Sequence, residues 1–216
     1  MEEEKRIPPP WLQNILVKDK QITEYLLECM EKSLPRGLSS YKNHMQFLGL
    51  TSNGLLWLPL SIWFIWLTET ASKEEIYVNL FFGLVLDVII VAFVKAYTRR
   101  RRPKKPHDEI LLAMDKFSFP SGHGSRSAYL VTFTALSLLP LSLFSFLVVL
   151  CLVLWGLAVA ASRIALQRHY ILDVTAGCFL GLLLAFSQRG IFWASEEWSH
   201  SFAHWMKYGL MSDYSI

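Results

Sequence analysis

Charge and cysteine are what this 216-residue chain is short of, and each shortage closes a class of explanation. Charged residues make up 18% of the sequence and come in clusters, whereas 53% of residues are hydrophobic and mean hydropathy is +0.32. That balance excludes an ordinary soluble domain and fits a chain embedded in a membrane. The three cysteines, Cys29, Cys151 and Cys178, lie far apart, so they give neither a disulfide framework nor a metal-ligand spacing and read as packing residues. The opening "MEEEKRIPPPW" has acidic residues and a proline run where a cleavable signal has a positive region and an apolar core. The first spanning helix is therefore expected to act as its own insertion signal.

Apolar runs near the ~20 residues needed to cross a bilayer occur at 45–67, 76–94, 122–139, 141–161 and 171–186. The expected fold is an all-α, polytopic membrane bundle of about five spans with its site at the membrane surface. It divides into an N-terminal segment at 1–44, a membrane-embedded unit at 45–190 and an interfacial tail at 191–216. Within the first segment, Ile22, Leu26, Met30 and Leu34 recur at helical spacing among Glu and Lys, as in an interfacial amphipathic helix. The tail carries Trp193, Trp198 and Trp205, which suits the headgroup layer. His200 and His204 stand four apart there, a spacing that could serve a metal, but no third ligand follows at a sensible distance.

With five spans, 18 of the 21 Lys and Arg residues fall on the side of the N-terminus and the 95–126 and 162–170 loops, against three on the other. The first side is expected to be cytosolic, and its basic block to face acidic lipid. Membrane lipids are thus the expected partners of that surface, and no nucleic acid is.

Three stretches on that side carry candidate chemistry. In "KAYTRRRRP", Lys95 and Arg102 are two helical turns apart and would project from one face before Pro103 stops the helix. They read either as a topogenic anchor or as two cations aimed at a phosphate. In "PSGH", Pro120 can open a helix, Gly122 allows close approach of a bound group, and the free amides and dipole make an anion site beside His123. A simple helix cap is the alternative. In "SRIALQRHYILD", Ser162 and Arg163 end one span and His169 and Asp173 begin the next, four residues apart. On one helix face, Asp173 could accept one imidazole N–H and leave the other nitrogen to attack. A structural His-Asp cap would look the same. Asp87, in mid-span, is expected to face the bundle interior and to pair with Asn79 or with a Ser or Thr of a neighbouring helix.

These residues match three spaced elements in order: K-x6-R-P at Lys95 to Pro103, P-S-G-H at Pro120 to His123, and S-R-x5-H-x3-D at Ser162 to Asp173. In them the chain resembles the type 2 phosphatidic acid phosphatase superfamily of lipid phosphate phosphatases. The wording "DKFSFPSGHGSRSA" and "RHYILDV" is similar to the polyisoprenoid or presqualene diphosphate phosphatase branch and its plant lipid phosphate phosphatase relatives. The family's phosphatidate-hydrolysing members often have six spans and a proline between the last His and Asp, where this chain has Ile171 and Leu172.

The resemblance implies a hydrolase in which His169 attacks phosphorus, Asp173 orients it, and His123 protonates the leaving oxygen. Lys95, Arg102, Arg163, Ser121 and the Gly122 amide would bind phosphate oxygens. No cofactor and no metal is implied. The substrate would be a lipid phosphate or an isoprenoid diphosphate, whose second phosphate Arg99, Arg100, Arg101, Lys104 and Lys105 could contact. A broad-specificity phosphatidate, lysophosphatidate or sphingosine phosphate phosphatase is the alternative. A vanadate-dependent haloperoxidase shares the constellation but is soluble, and a non-enzymatic scaffold usually lacks a catalytic residue. The endoplasmic reticulum is the location that the resemblance suggests; the oligomeric state is open.

Overall fold

The computed structural model describes residues 9–104, 116–140 and 142–209, and these residues are overwhelmingly helical. The helices are α1 (Pro10–Ser33), α2 (Lys42–Thr51), α3 (Gly54–Leu67), α4 (Ala71–Thr98), α5 (Gly122–Ser137), α6 (Leu143–Ala165), α7 (Ile171–Ile191) and α8 (Glu196–His204). Side-chain oxygens start several of them: Asn53, Ser121, Ser142 and Ser195 accept amides of α3, α5, α6 and α8.

Three helices, α4, α6 and α7, are long and apolar enough to cross a membrane. The stretch ending in α2 and continuing as α3 counts as a fourth if the two, bent by 41° at their junction, make one span. The expected first span thus falls on two helices that meet at a bend. Its exposed backbone is satisfied by neighbours: the Thr51 carbonyl accepts from Trp57 at 2.7 Å and the Ser52 carbonyl from Arg126 at 3.2 Å. The expected span at 122–139 appears as α5, whose 16 residues cover about 24 Å, short of the ~30 Å hydrocarbon core. It is buried, with Ser125, Arg126, Ser127 and Tyr129 inward. The outer surface of α6 presents Leu143, Phe144, Phe146, Leu150 and Leu157, as a lipid-facing helix should.

α5 lies against α7 at near backbone contact. Gly177 and Gly181 of α7 are four apart, and a Cβ would stand 2.4 Å from the Ser121 carbonyl oxygen at the first and 1.9 Å from the Ser125 carbonyl oxygen at the second. Small residues at this spacing allow membrane helices to approach. Leu80, Leu84, Tyr129, Leu130, Phe133 and Leu184 pack around this pair.

Several interior polar groups are paired. The Asp87 carboxylate accepts from Ser125 Oγ at 2.5 Å and forms an ion pair with Arg126 at 2.9 Å, a neighbouring-helix Ser as expected, joined by an unforeseen arginine. The Asn79 side chain turns to the Ala194 backbone instead, and the Asn79 carbonyl accepts from Gln188. At that end of α4, Glu74 holds His200 at 2.6 Å and Lys207 at 2.5 Å, and the His204 ring tilts against that of Tyr208, so the two histidines have partners other than a metal. Aromatic residues Trp198 and Phe202 of the expected interfacial tail pack on Phe82 of α4. The opposite end gathers the C-termini of α4 and α6, the N-termini of α5 and α7, and α1.

Candidate active site

The turns at this end bring the three motif stretches together, although not as one helical face each. α4 stops at Thr98, with Arg99 left-handed at φ 48°. Arg102 therefore is not on the Lys95 helix, which corrects the expected two-turn register. Four consecutive arginines repel one another in a helix, and the residue before Pro103 is disfavoured there. The chain runs on extended, with Arg101 bridged to Phe117 and the Ser118 amide donating to the Arg100 carbonyl at 2.8 Å. Lys95 is buried in the last turn of α4, and Arg102 Nε reaches the Phe117 carbonyl at 3.4 Å.

α5 begins two residues later than the proline reading implies. Pro120 precedes the cap, and Ser121 is the N-cap, its Oγ accepting the Gly124 amide at 3.3 Å. A hydroxyl that accepts one bond can still donate its own hydrogen. The Ser121 amide donates to the Asp173 carbonyl at 2.9 Å, tying α5 to α7. Gly122 and His123 are the first two residues of the helix, so their amides open outward with the positive end of its dipole. A Cβ on Gly122 would meet only Val91 within 4 Å, at 3.3 Å, so a bound group has room there.

Arg163 is buried at the end of α6, donating to Ser162 Oγ at 3.1 Å and to the Met45 carbonyl of α2 at 2.7 Å. The guanidinium lies directly over Gly49, where a Cβ would stand 2.1 Å from Nη2. The turn after α6, left-handed at Gln167, then delivers His169.

His169 is buried, and it precedes α7. It does not share a helix face with Asp173, because α7 starts at Ile171 and Asp173, its third residue, turns its side chain back to accept the amide of the N-cap, Tyr170. Its Nδ1 meets the Ser118 carbonyl oxygen at 2.7 Å, while Asp173 Oδ2 is 3.8 Å away. The expected His-to-Asp hydrogen bond is replaced by one to the Ser118 backbone. A carbonyl only accepts, so Nδ1 carries the proton and Nε2 of the neutral ring carries the lone pair. Burial, and then the charges of Arg102 and Lys95, hold this imidazole well below its ordinary 6.5, so it is neutral at pH 7. His123 feels Arg163, Arg126, His169 and Lys95. The two imidazoles thus share Lys95 and Arg163 as neighbours. A nucleophilic ring nitrogen, a second imidazole, several cations and a helix N-terminus in one place can bind a phosphate and transfer it.

Residues 76–197 match the model of the PAP2 superfamily. The chain belongs to that superfamily. A probable lipid phosphate phosphatase beta of Arabidopsis thaliana is 37% identical over 126 residues, covering 48% of this chain and 59% of the relative, so the PAP2 chain matches about three-fifths of that relative's length. Two solved structures share the fold. A transmembrane PAP2-type phosphatidylglycerolphosphate phosphatase of Bacillus subtilis superposes with a TM-score of 0.60 at 22% identity, over 82% of this chain and 85% of its own. Aquifex aeolicus LpxE gives 0.52 at 20% identity, over 75% and 91%. The protein is an integral membrane PAP2 chain.

The site also includes residues that the sequence did not single out. Ser118 supplies the carbonyl under His169. Arg100, assigned to the membrane-facing cation run, turns inward: it donates at 2.6 Å to Asp173 Oδ1 and at 2.6 Å to Asp19 Oδ2, and lies 4.2 Å over the Tyr170 ring. It is therefore engaged by two carboxylates, and the reading of it as a contact for an outer phosphate is corrected. α1 is longer than the amphipathic stretch at 22–34 and docks on α7. Asp19 Oδ1 accepts the Leu172 amide at 2.9 Å and Thr23 Oγ1 accepts the Ile171 amide at 3.2 Å. The usable signal was a stripe of Leu12, Leu16, Leu27 and Met30 interrupted by these two polar residues. Lys105 lies outside the described residues.

Proposed function

We propose that this PAP2 chain is a membrane phosphohydrolase that removes phosphate from lipid phosphates, with isoprenoid diphosphates as its preferred substrates, through a phosphohistidine at His169. The observation that carries the reading is the hydrogen bond from His169 Nδ1 to the Ser118 carbonyl, which leaves the Nε2 lone pair beside His123 and the cations. Nε2 forms a bond to phosphorus as the bond to the leaving oxygen breaks, and His123 gives that oxygen a proton. His123 then takes a proton from water, whose oxygen displaces the phosphoryl group from His169. Asp173 favours the positive charge that the ring gains. Lys95, Arg102, Arg163, the Ser121 hydroxyl and the Gly122 amide bind the equatorial oxygens, a role that would otherwise fall to a metal ion.

The substrate class follows from position. The site lies at the bundle end where the basic segments gather, which we assign to the cytosol, with the endoplasmic reticulum as the location. A headgroup phosphate can enter there while its lipid tail stays in the bilayer. Exposed Arg101 and Lys104 at the rim suit a second phosphate. The engagement of Arg100 by Asp19 and Asp173 favours a second reading, in which the enzyme accepts phosphatidate, lysophosphatidate and sphingosine phosphate about equally.

Purified protein in detergent, assayed with farnesyl diphosphate, presqualene diphosphate, phosphatidate and sphingosine phosphate in excess EDTA, tests both. The proposal expects turnover without added metal and a higher kcat/KM for the two diphosphates. Equal rates on all four select the second reading, and a strict requirement for Mg²⁺ refutes the phosphohistidine route.

A further inference from the structure

α1 reaches the site by way of two polar side chains on its docked face. The Arg100 guanidinium is forked between carboxylates of two helices, with Nη2 on Asp19 Oδ2 and Nη1 on Asp173 Oδ1, each at 2.6 Å. The three side chains are nearly or wholly buried, at 12%, 8% and 0% exposure, so solvent screens the group little. Both carboxylates have their second oxygen on the first turn of α7: Asp19 Oδ1 accepts the Leu172 amide and Asp173 Oδ2 the Tyr170 amide, at 2.9 and 2.8 Å. No freedom is left to the Asp173 carboxylate that stands 3.8 Å from His169 Nδ1.

We infer that Asp19 is a positioning residue for the reaction: through Arg100 it sets the place and the charge of the Asp173 carboxylate, so that α1 completes the active site. The inference rests on the phosphohydrolase reading above. One guanidinium shared by two carboxylates leaves the trio with a net charge of −1 beside His169. The imidazole ring becomes positive as Nε2 bonds to phosphorus, and that charge is stabilised by the surplus negative one. Without the Asp19 carboxylate, Arg100 belongs to Asp173 alone, the trio becomes neutral, and the support is withdrawn at the transition state. Ground-state phosphate binding, which uses other residues, changes little.

Asp19→Asn tests this, because its amide oxygen can still accept the Leu172 N–H while its amide nitrogen cannot accept from Arg100. Thr23→Val is the matched control: it removes the neighbouring contact of α1 to α7, the Ile171 amide, and leaves the trio intact. Two readouts are taken on full-length protein in detergent, steady-state kinetics on farnesyl diphosphate and calorimetric binding of orthovanadate, which needs no turnover. The expected result is a kcat roughly 10- to 100-fold lower for Asp19→Asn, with KM within about twofold and vanadate, which bonds to the same nitrogen, bound at least about tenfold more weakly. Thr23→Val stays within about threefold of wild type in both, and Asp19→Asn changes kcat much less when Arg100 is already Gln, since the carboxylate then has no guanidinium through which to act. A kcat for Asp19→Asn within threefold of wild type, or equal losses in Asp19→Asn and Thr23→Val that track the fraction of folded protein, overturns the inference and leaves α1 a structural helix. If wild type hydrolyses none of the four lipids, the phosphohydrolase reading fails by itself. Vanadate affinity then still decides: at least tenfold weaker binding in Asp19→Asn supports the role, and unchanged binding refutes it.

Discussion

Gly49→Ala should damage the site without unfolding the protein. The added Cβ would stand 2.1 Å from Arg163 Nη2, 2.4 Å from Nη1 and 2.5 Å from Cζ. Ordinary contact begins near 3.4 Å, so the guanidinium must retreat by about 1.3 Å. The obstacle is the far end of a flexible side chain and not backbone, and Ala is the better helix former by ~1 kcal/mol, so the fold absorbs the change. The proposed phosphate contact does not, because a displacement of that size breaks a hydrogen bond. A hydrogen bond to a charged group is worth ~1.5–3 kcal/mol, which corresponds to a loss of roughly 10- to 150-fold in kcat/KM. The assay is kcat/KM for farnesyl diphosphate alongside the thermal midpoint in detergent, with Gly54→Ala as a control, whose Cβ needs the Arg126 Cζ, 3.0 Å away, to give only slightly. Wild-type kcat/KM in Gly49→Ala, together with a collapsed Arg163→Ala, would show that the guanidinium works from somewhere other than its place over α2.

At Gly181 the same substitution meets backbone, the Ser125 carbonyl oxygen at 1.9 Å, so Gly181→Ala should cost about 3 kcal/mol or more and appear as loss of folded protein in a detergent size-exclusion profile. His169→Ala should abolish turnover and phosphate incorporation from labelled substrate, whereas His123→Ala should slow turnover by roughly 10²- to 10⁴-fold and still allow label to be trapped on His169; label in His169→Ala would move the nucleophile elsewhere. Burial and the Arg102 and Lys95 charges keep folded His169 unprotonated below its ordinary 6.5, while the unfolded chain binds that proton at 6.5. Stability therefore falls as pH drops below about 6.5, and a thermal-shift series should show a shallower fall in His169→Ala.

The three motifs were legible because their residues are close in sequence and each carries chemistry that its neighbours do not explain. Their geometry was less so. The Lys95 to Arg102 spacing fits a helix, but a run of like charge ending at Pro103 ended α4 at Thr98. The His169 to Asp173 spacing fits one too, yet His169 falls just before α7 and donates its hydrogen bond to a carbonyl 51 residues away. Backbone acceptors such as Ser118 have no side-chain signature. Gly49 had none either, since an Arg163 passing over it comes from a helix more than a hundred residues later. Mean hydropathy marks α4, α6 and α7, whereas α5 is shorter and buried within the bundle, with Ser125, Arg126 and Ser127 inward.

Charge counting misleads for a related reason: a cation near the site belongs to it only if no carboxylate has already claimed it. Arg126 follows His123 by three residues and its charge reaches that ring, but it is bound to Asp87 at 2.9 Å and to the Ser52 carbonyl where α2 breaks from α3. A charged group inside a bundle is tolerated only in such a pairing, and removing one partner of a buried pair costs ~3–5 kcal/mol. Arg126 therefore locks α5 to α4 and to that break beneath His123, and the pair adds no net charge for a phosphate to feel. Arg100 is claimed in the same way by Asp19 and Asp173. The carboxylates that look incidental in the sequence thus decide which arginines remain for substrate. Of the run from Arg99 to Lys104, only Arg99, Arg101 and Lys104 are both outside the K-x6-R-P element and exposed, so any discrimination between a diphosphate and a monophosphate that arises from this run has to come from those three side chains.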